Sequence, residues 1–278
     1  MEKVWLITGC SAGLGKELAS MVLKTGDQVI VTARNVADIR HFAVDYPDAA
    51  TIWPLDVSKP DDIGRLIKKV KRKFGKVDVL INNAGTRYFG ALEESDEKHI
   101  RYMFEVNFFG LANLTRAVLP LMRKQRSGHI VNISSIAGKI GFAGMGFYNA
   151  TKFAVEGYSE ALAREVAPLG IKVMIVAPGG FKTGWEQRPV KISKKRIRDY
   201  EDTAGAAKKR VTENAGWQPG DPALAAKAIM KAINADNPPL HLLLGAAAVT
   251  ETREKMEQLK KEIDTWEMVI TRLDLNNT

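Results

Sequence analysis

The stretch Thr8-Gly9-Cys10-Ser11-Ala12-Gly13-Leu14-Gly15 decides how the chain is read, because an apolar run (3–8) leads into it and a helical pattern through Lys16, Leu18, Ala19 and Val22 leads out. A strand that turns through glycines into a helix opens a β-α-β unit. The glycines allow a tight turn and let the backbone approach a pyrophosphate, whose charge is stabilised by the free N–H groups and dipole at the helix start. The spacing differs from the commonest dinucleotide fingerprint, Gly-x-Gly-x-x-Gly, and a plain strand-to-helix connection is the competing reading. Its place at the first junction of an alternating chain favours the dinucleotide.

Outward from this loop, apolar β-branched runs at 28–33, 50–55, 77–81, 128–133, 171–176 and 240–244 alternate with helical patterns. The stripes Ile63, Leu66, Ile67, Val70, Phe74 and Phe153, Val155, Tyr158, Leu162, Val166 are both spaced to lie on a sheet. This alternation predicts a Rossmann-like, doubly wound parallel α/β sheet of about seven strands with helices on both faces. At 278 residues the chain reads as a single domain, 1–278. After about residue 180 a polar, basic stretch, 184–216, interrupts the pattern, and Asp221 and Pro222 then start another helix as N-cap and first-turn residue. A structureless loop of that length is unusual, so 184–216 is expected to be a partly helical lid inserted over the sheet.

Composition excludes several classes. A hydrophobic share of 45% with 26% charged residues is ordinary globular usage. The one cysteine, Cys10, rules out an intrachain disulfide and lacks a His/Asp partner pattern, so it reads as a packing residue. The histidines, His41, His99, His129 and His241, show no metal spacing, and no metal is expected. With no signal-peptide pattern and no apolar run of 18 residues, the expectation is a cytoplasmic protein without membrane contact. The net charge of +9 is uneven: residues 182–213 hold ten Lys/Arg against five acids. Stacking aromatics are absent from that segment's charge runs apart from Tyr200, which argues against nucleic acid.

At the end of the second strand the chain reads Val31-Thr32-Ala33-Arg34-Asn35. A carboxylate there would bind a ribose 2′-hydroxyl, whereas an arginine accommodates a 2′-phosphate, so Arg34 favours NADP(H) over NAD(H). Further on stand Asn82-Asn83-Ala84-Gly85, Asn107, Ser134-Ser135 and Tyr148-x-x-x-Lys152, with tyrosine and lysine on one helical face.

The ordered set of Thr-Gly-x-x-x-Gly-x-Gly, Asn-Asn-Ala-Gly, Asn, Ser and Tyr-x-x-x-Lys resembles the short-chain dehydrogenase/reductase family over residues 3–183. The resemblance implies Tyr148 as acid/base, Ser135 holding the carbonyl oxygen, Lys152 lowering the tyrosine pKa and binding the nicotinamide ribose, and Asn107 positioning a relay water. Ser134 is the competing serine. It further implies cofactor contacts at Gly9, Ser11, Gly13, Leu14, Gly15, Arg34, Asp56, Val57, Asn83, Ala84, Gly85, Pro178, Gly179 and Thr183, and a homodimer or homotetramer.

The activity so implied is NADP(H)-dependent interconversion of a carbonyl and an alcohol. Phe89, Phe142, Met145, Phe181, Trp185 and Trp217 are the apolar candidates for a pocket that takes a hydrophobic small-molecule substrate. The rival readings are a non-catalytic NADP(H)-binding sensor, whose mark would be loss of the tyrosine or lysine, and a dehydratase or epimerase on the same fold.

Overall fold

The computed structural model describes residues 2–181, 191–213 and 218–273. Its elements run β1 (Val4–Ile7), α1 (Gly13–Leu23), β2 (Gln28–Ala33), α2 (Arg40–Asp45), β3 (Ala50–Pro54), α3 (Pro60–Lys73), β4 (Val79–Asn82) and β5 (Tyr88–Phe89). There follow α4 (Glu97–Phe104), α5 (Gly110–Gln125), β6 (Gly128–Ile133), α6 (Gly146–Val166), β7 (Ile171–Pro178) and β8 (Lys191–Ile192). The last are α7 (Ala206–Glu213), α8 (Pro222–Ile233), β9 (His241–Leu244) and α9 (Ala246–Ile270). Seven strands form one parallel sheet in the order β3-β2-β1-β4-β6-β7-β9. This is the Rossmann-like α/β architecture that the alternation predicts.

Strand periodicity divides the core between the two sheet faces. Trp5, Ile7, Val29, Val31, Val79 and Ile81 pack with α1 and α8. Their neighbours Val4, Leu6, Ile30 and Leu80 pack instead with α3, α5 and α6. Of the two predicted helical stripes, Ile63, Leu66, Ile67 and Val70 are buried, as are Val155, Leu162 and Val166. Phe153 departs from its stripe and is 47% exposed, since it lies one residue beyond Lys152, on the side of α6 turned from the sheet. No helix among the described residues is long and apolar enough to cross a membrane.

The order reverses between β1 and β4, where the chain leaves β1 for α1 on one face and β4 for the other, so a crevice opens beyond the strands' carboxyl ends. Beneath it runs a buried polar chain. Asn82 Nδ2 donates to Thr115 Oγ1 (2.9 Å) and Asn132 Oδ1 (2.8 Å), and Asn132 Nδ2 donates to Ser159 Oγ (2.8 Å), tying β4, α5, β6 and α6 together. Such groups are costly to bury unless bonded.

The segment 191–213 contains the two-residue β8, a π-helical turn at Glu201–Gly205 and α7, so the expected helix is present. β8 pairs in parallel with β5, a small ladder that the sequence reading did not include. Thr183, Trp185 and Trp217 lie outside the described residues. Asp221 accepts from Ala223 N at 2.7 Å as the predicted N-cap of α8.

Replacing Asn132 by alanine strands one Asn82 N–H and removes the donor to Ser159. We expect a loss of about 1–3 kcal/mol, read as a lower thermal midpoint. An unchanged midpoint would show that the buried chain contributes nothing to stability.

Candidate active site

The glycine loop is shaped from within. Gly9 and Gly13 adopt φ of +71° and +59°, and a Cβ at Gly15 would stand 2.6 Å from the Gly9 carbonyl oxygen. Ala12, the residue before α1, makes no side-chain cap, so the first N–H groups of the helix keep their capacity for a ligand. Gly9, Ser11, Ala12 and Leu14 line a cavity of about 1050 Å³, whereas Gly13 and Gly15 do not and act through backbone shape. A loop that a Cβ would obstruct, set against an uncapped helix start, fits a pyrophosphate.

Asn83 joins this loop to the end of β4. Its Nδ2 donates to the carbonyls of Thr8 (2.9 Å) and Gly9 (3.2 Å), and Thr8 Oγ1 accepts from the N–H groups of Asn83 and Ala84, both at 2.9 Å. Asn83, Ala84 and Gly85 form the cavity wall as well, so bracing and lining are one role.

Arg34 lines the far end of the cavity with Asp56 and Val57, and its Nη1 donates to Tyr102 Oη at 3.1 Å. Two residues there were missed by reading strand ends alone. Tyr102 comes from α4, far in sequence, and Asp38 lines the same end with its carboxylate accepting from Asn35 Nδ2 at 3.2 Å. Asp56 accepts from Ser58 N (3.1 Å) and Oγ (2.7 Å), so its side chain turns the chain after β3. Pro178 and Gly179 line the opposite wall.

At that wall stand Ser135, Tyr148 and Lys152. Ser135 opens a short 3-10 turn, where its Oγ accepts from Ala137 N at 3.1 Å, and its hydroxyl favours the ionised form of the Tyr148 phenol. Ser134 Oγ is buried and makes no hydrogen bond among the described residues, so the serine that meets the tyrosine is Ser135. Lys152 follows Tyr148 by one turn of α6; its Nζ donates to Ile133 O at 2.8 Å and lies 5.8 Å from the tyrosine ring centroid.

Asn107 sits in a π-helical turn, Glu105–Phe109, between α4 and α5, a distortion frequent at functional sites. Its Oδ1 accepts from Thr86 N at 2.7 Å, and its Nδ2 donates to Thr86 O (2.9 Å) and Thr151 Oγ1 (3.0 Å). The side chain thereby fastens the wall to α6 from behind, and it is not among the cavity-lining residues. Phe142, Met145 and Phe181 line the cavity, while Phe89 is buried with Tyr88 in the small ladder instead.

Burial pushes the Tyr148 phenol above its ordinary value, opposed by the Arg87 charge and by Ser135. Burial pushes Lys152 down to about 8, opposed by the Glu156 carboxylate one turn further along α6. Glu156 is itself buried, with Lys139 Nζ at 2.7 Å and His241 Nδ1 at 3.5 Å; His241 Nε2 lies 3.6 Å from Glu160. This group of charges leads from Lys152 to the surface.

With the fold and site described, the relatives become informative. The short chain dehydrogenase family model matches residues 3–191. This chain is a short-chain dehydrogenase/reductase. Oxidoreductase BOA17 of Botryotinia fuckeliana (strain B05.10) is 35% identical over 268 residues, covering 96% of this chain and 97% of its own. A 3-ketodihydrosphingosine reductase of Bacteroides thetaiotaomicron is 39% identical over 248 residues, covering 87% and 88%. Among solved structures, a short-chain dehydrogenase from Streptomyces avermitilis superposes with a TM-score of 0.91 at 42% identity, covering 99% of both chains. ElxO with NADP bound gives 0.75 at 31% identity over 90% of this chain and 100% of its own. A family member from Burkholderia phymatum in complex with NAD gives 0.83 at 25%, covering 94% and 95%. This short-chain dehydrogenase is thus an oxidoreductase by family, and of the solved structures similar to it one holds NADP and another NAD.

Glu156→Gln removes the carboxylate that favours the Lys152 ammonium, so the lysine should deprotonate at lower pH than in the parent. Carbon-13-labelled lysine followed by NMR titration reads this midpoint directly. A midpoint that stays in place or rises would show that Glu156 does not act on Lys152.

Proposed function

We propose that this short-chain dehydrogenase reduces the carbonyl of a ketone or aldehyde with NADPH, and runs the reverse oxidation with NADP⁺. The observation that carries the reading is the placement of Ser135, Tyr148 and Lys152 on one wall of the cavity whose other end holds Arg34 and whose floor is the uncapped start of α1. A nicotinamide nucleotide bound there supplies the hydride. The residues suited to hold it are the Gly9–Leu14 loop for the pyrophosphate, Asp56 and Val57 for the adenine, and Arg34 for the 2′-phosphate. Asn83 to Gly85, Lys152, Pro178 and Gly179 would flank the ribose and nicotinamide.

The chain's own part in the chemistry is proton and charge placement. Carbonyl reduction leaves developing negative charge on oxygen, which needs hydrogen-bond donors already in position. Tyr148 Oη donates the proton, and its raised pKa keeps that proton on the phenol through the neutral range. Ser135 Oγ holds the same oxygen. Lys152 remains largely protonated at neutral pH, being depressed only to about 8, and its charge favours the tyrosinate left behind. Asn107 is a positioning residue, acting through Thr86 and Thr151. Phe142, Met145 and Phe181 give the substrate's apolar part a dry wall. The ketone reduction named in the Bacteroides relative supports the same reaction class.

Tyr148→Phe should abolish NADPH oxidation by a ketone panel while NADPH still binds, measured by nicotinamide absorbance and fluorescence. Ser135→Ala should lower turnover on the order of 10²–10³. Substantial turnover by folded, NADPH-bound Tyr148→Phe protein would refute the mechanism.

For the nucleotide, binding titrations should show NADPH held at least about tenfold more tightly than NADH, since an arginine at this strand end suits a 2′-phosphate. Arg34→Ala should erase most of the difference even with Asp38 in place. Equal affinities in the parent protein would contradict the NADP(H) assignment.

A further inference from the structure

Helix α9 leaves the body of the protein. Its start is anchored, with Ala248 fully buried and Gly179 N donating to the carbonyl of Leu244, at the end of β9, at 2.9 Å. From Arg253 to Thr271 every residue is exposed, so no described element covers the helix over its last 18 residues, about 27 Å at 1.5 Å per residue. A free helix of this length is marginal in water, since most helices are held by packing an apolar face.

That face is present. Met256, Leu259, Ile263, Trp266, Ile270 and Leu273 recur at alternating steps of three and four residues and are 47% to 78% exposed. Such spacing gives a narrow stripe, the seam of a two-helix coiled coil, and not the broad face with which a helix covers a sheet. Val269 flanks the stripe, and Met268 lies opposite it.

The charges beside the stripe select what covers it. Arg253, Lys255, Lys260, Glu262 and Glu267 flank it. In a parallel pair the flanking residue before one stripe position faces the partner's flanking residue five places on. Lys255 would then meet the partner's Lys260, and Glu262 the partner's Glu267, like against like. An antiparallel copy reverses this. With the two stripes fully overlapped about a two-fold axis, Met256 packs on the partner's Leu273, Leu259 on the partner's Ile270 and Ile263 on the partner's Trp266. The same alignment sets Lys260 opposite the partner's Glu267, twice by symmetry. Lys260 also holds Asp264 on its own helix at 2.5 Å, and an ammonium with three donors can serve both. A lipid surface fits less well, because helices that lie on membranes carry Lys and Arg on the polar face, whereas residues 253–271 hold four basic against five acidic residues.

We propose that α9 is a dimerisation arm, which pairs antiparallel with α9 of a second copy of this chain through the stripe from Met256 to Leu273. The two bodies then stand at opposite ends of the helical pair.

Sedimentation of the full chain over a dilution series tests this. At the concentrated end the parent should have twice the mass of the double variant Ile263→Gln, Trp266→Gln, whatever further association the two share. Cys10, buried in the parent, should stay unreactive toward a thiol reagent in each of these variants, which shows that the body is folded. Lys260→Glu places like charges opposite each other and should weaken association about tenfold, as should Glu267→Lys, and the two combined should restore it. Parallel pairing reverses the first sign, because Lys260→Glu then relieves Lys255. A short bismaleimide should join a mixture of Lys260→Cys and Glu267→Cys proteins faster than it joins either protein alone.

Equal masses for the parent and the double glutamine variant would overturn the proposal. Tighter association of Lys260→Glu, no rescue by the charge exchange, or no preference of the bismaleimide for the mixture would overturn the antiparallel pairing. Flotation of the parent with phosphatidylserine–phosphatidylcholine vesicles, lost in the glutamine variant while the masses stay equal, would assign the stripe to a membrane instead.

Discussion

Two backbone N–H groups, those of Asn83 and Ala84, converge on a single hydroxyl, Thr8 Oγ1, while the Asn83 amide closes back on the carbonyls of Thr8 and Gly9. This small lattice fixes the glycine loop to the end of β4 at the point where neighbouring chain segments depart to opposite faces of the sheet. Without it the crevice would have two independent lips. With it, the uncapped start of α1 and the wall that leads to Tyr148 belong to one rigid junction. Asn107 extends the same bracing from behind, since its amide bonds Thr86 on the wall and Thr151 on α6.

Helix α6 converts that rigidity into electrostatics. Tyr148, Lys152 and Glu156 recur at four-residue spacing, all buried on one face, so phenol, ammonium and carboxylate follow each other along a single rod. Burial acts on the first two in opposite senses, raising the phenol and lowering the ammonium, because it disfavours whichever form is charged. Each then has its own counterweight: Arg87, from the loop before β5, for the phenol, and Glu156, one turn further along α6, for the ammonium. The site's proton balance is thus divided between a loop before a two-residue strand and a group of charges that reaches the sheet edge at His241.

Much of the fold was legible in the sequence because it is written in local patterns. The apolar runs fall on the seven strands of the main sheet to within a few residues, and Asp221-Pro222 starts a helix as its residue types require. The Tyr148–Lys152 pair was legible for the same reason, helical spacing. What escaped notice depends on contacts between distant segments. A ladder as short as β5–β8 has too few residues to show a period, and its partners are about a hundred positions apart. Tyr102 reaches Arg34 across 68 residues, a contact that no local pattern encodes. Phe89 and Phe153 show the converse, aromatic residues whose type suggests a place that the local backbone direction denies them.

Cys10 lies at the centre of the glycine loop, wholly buried, with its thiol directed to the Ile7 carbonyl at 3.2 Å. Burial pushes its pKa up to about 12, so almost no thiolate exists at neutral pH and no reagent can approach it. It is also the chain's one sulfhydryl. A thiol label can therefore enter only when the β1–α1 turn comes apart, and the rate of labelling is an internal clock for the opening of that junction. A nucleotide that clamps the loop slows the clock in proportion to the openings it suppresses, so occupancy of the crevice can be timed by a residue that never touches the chemistry.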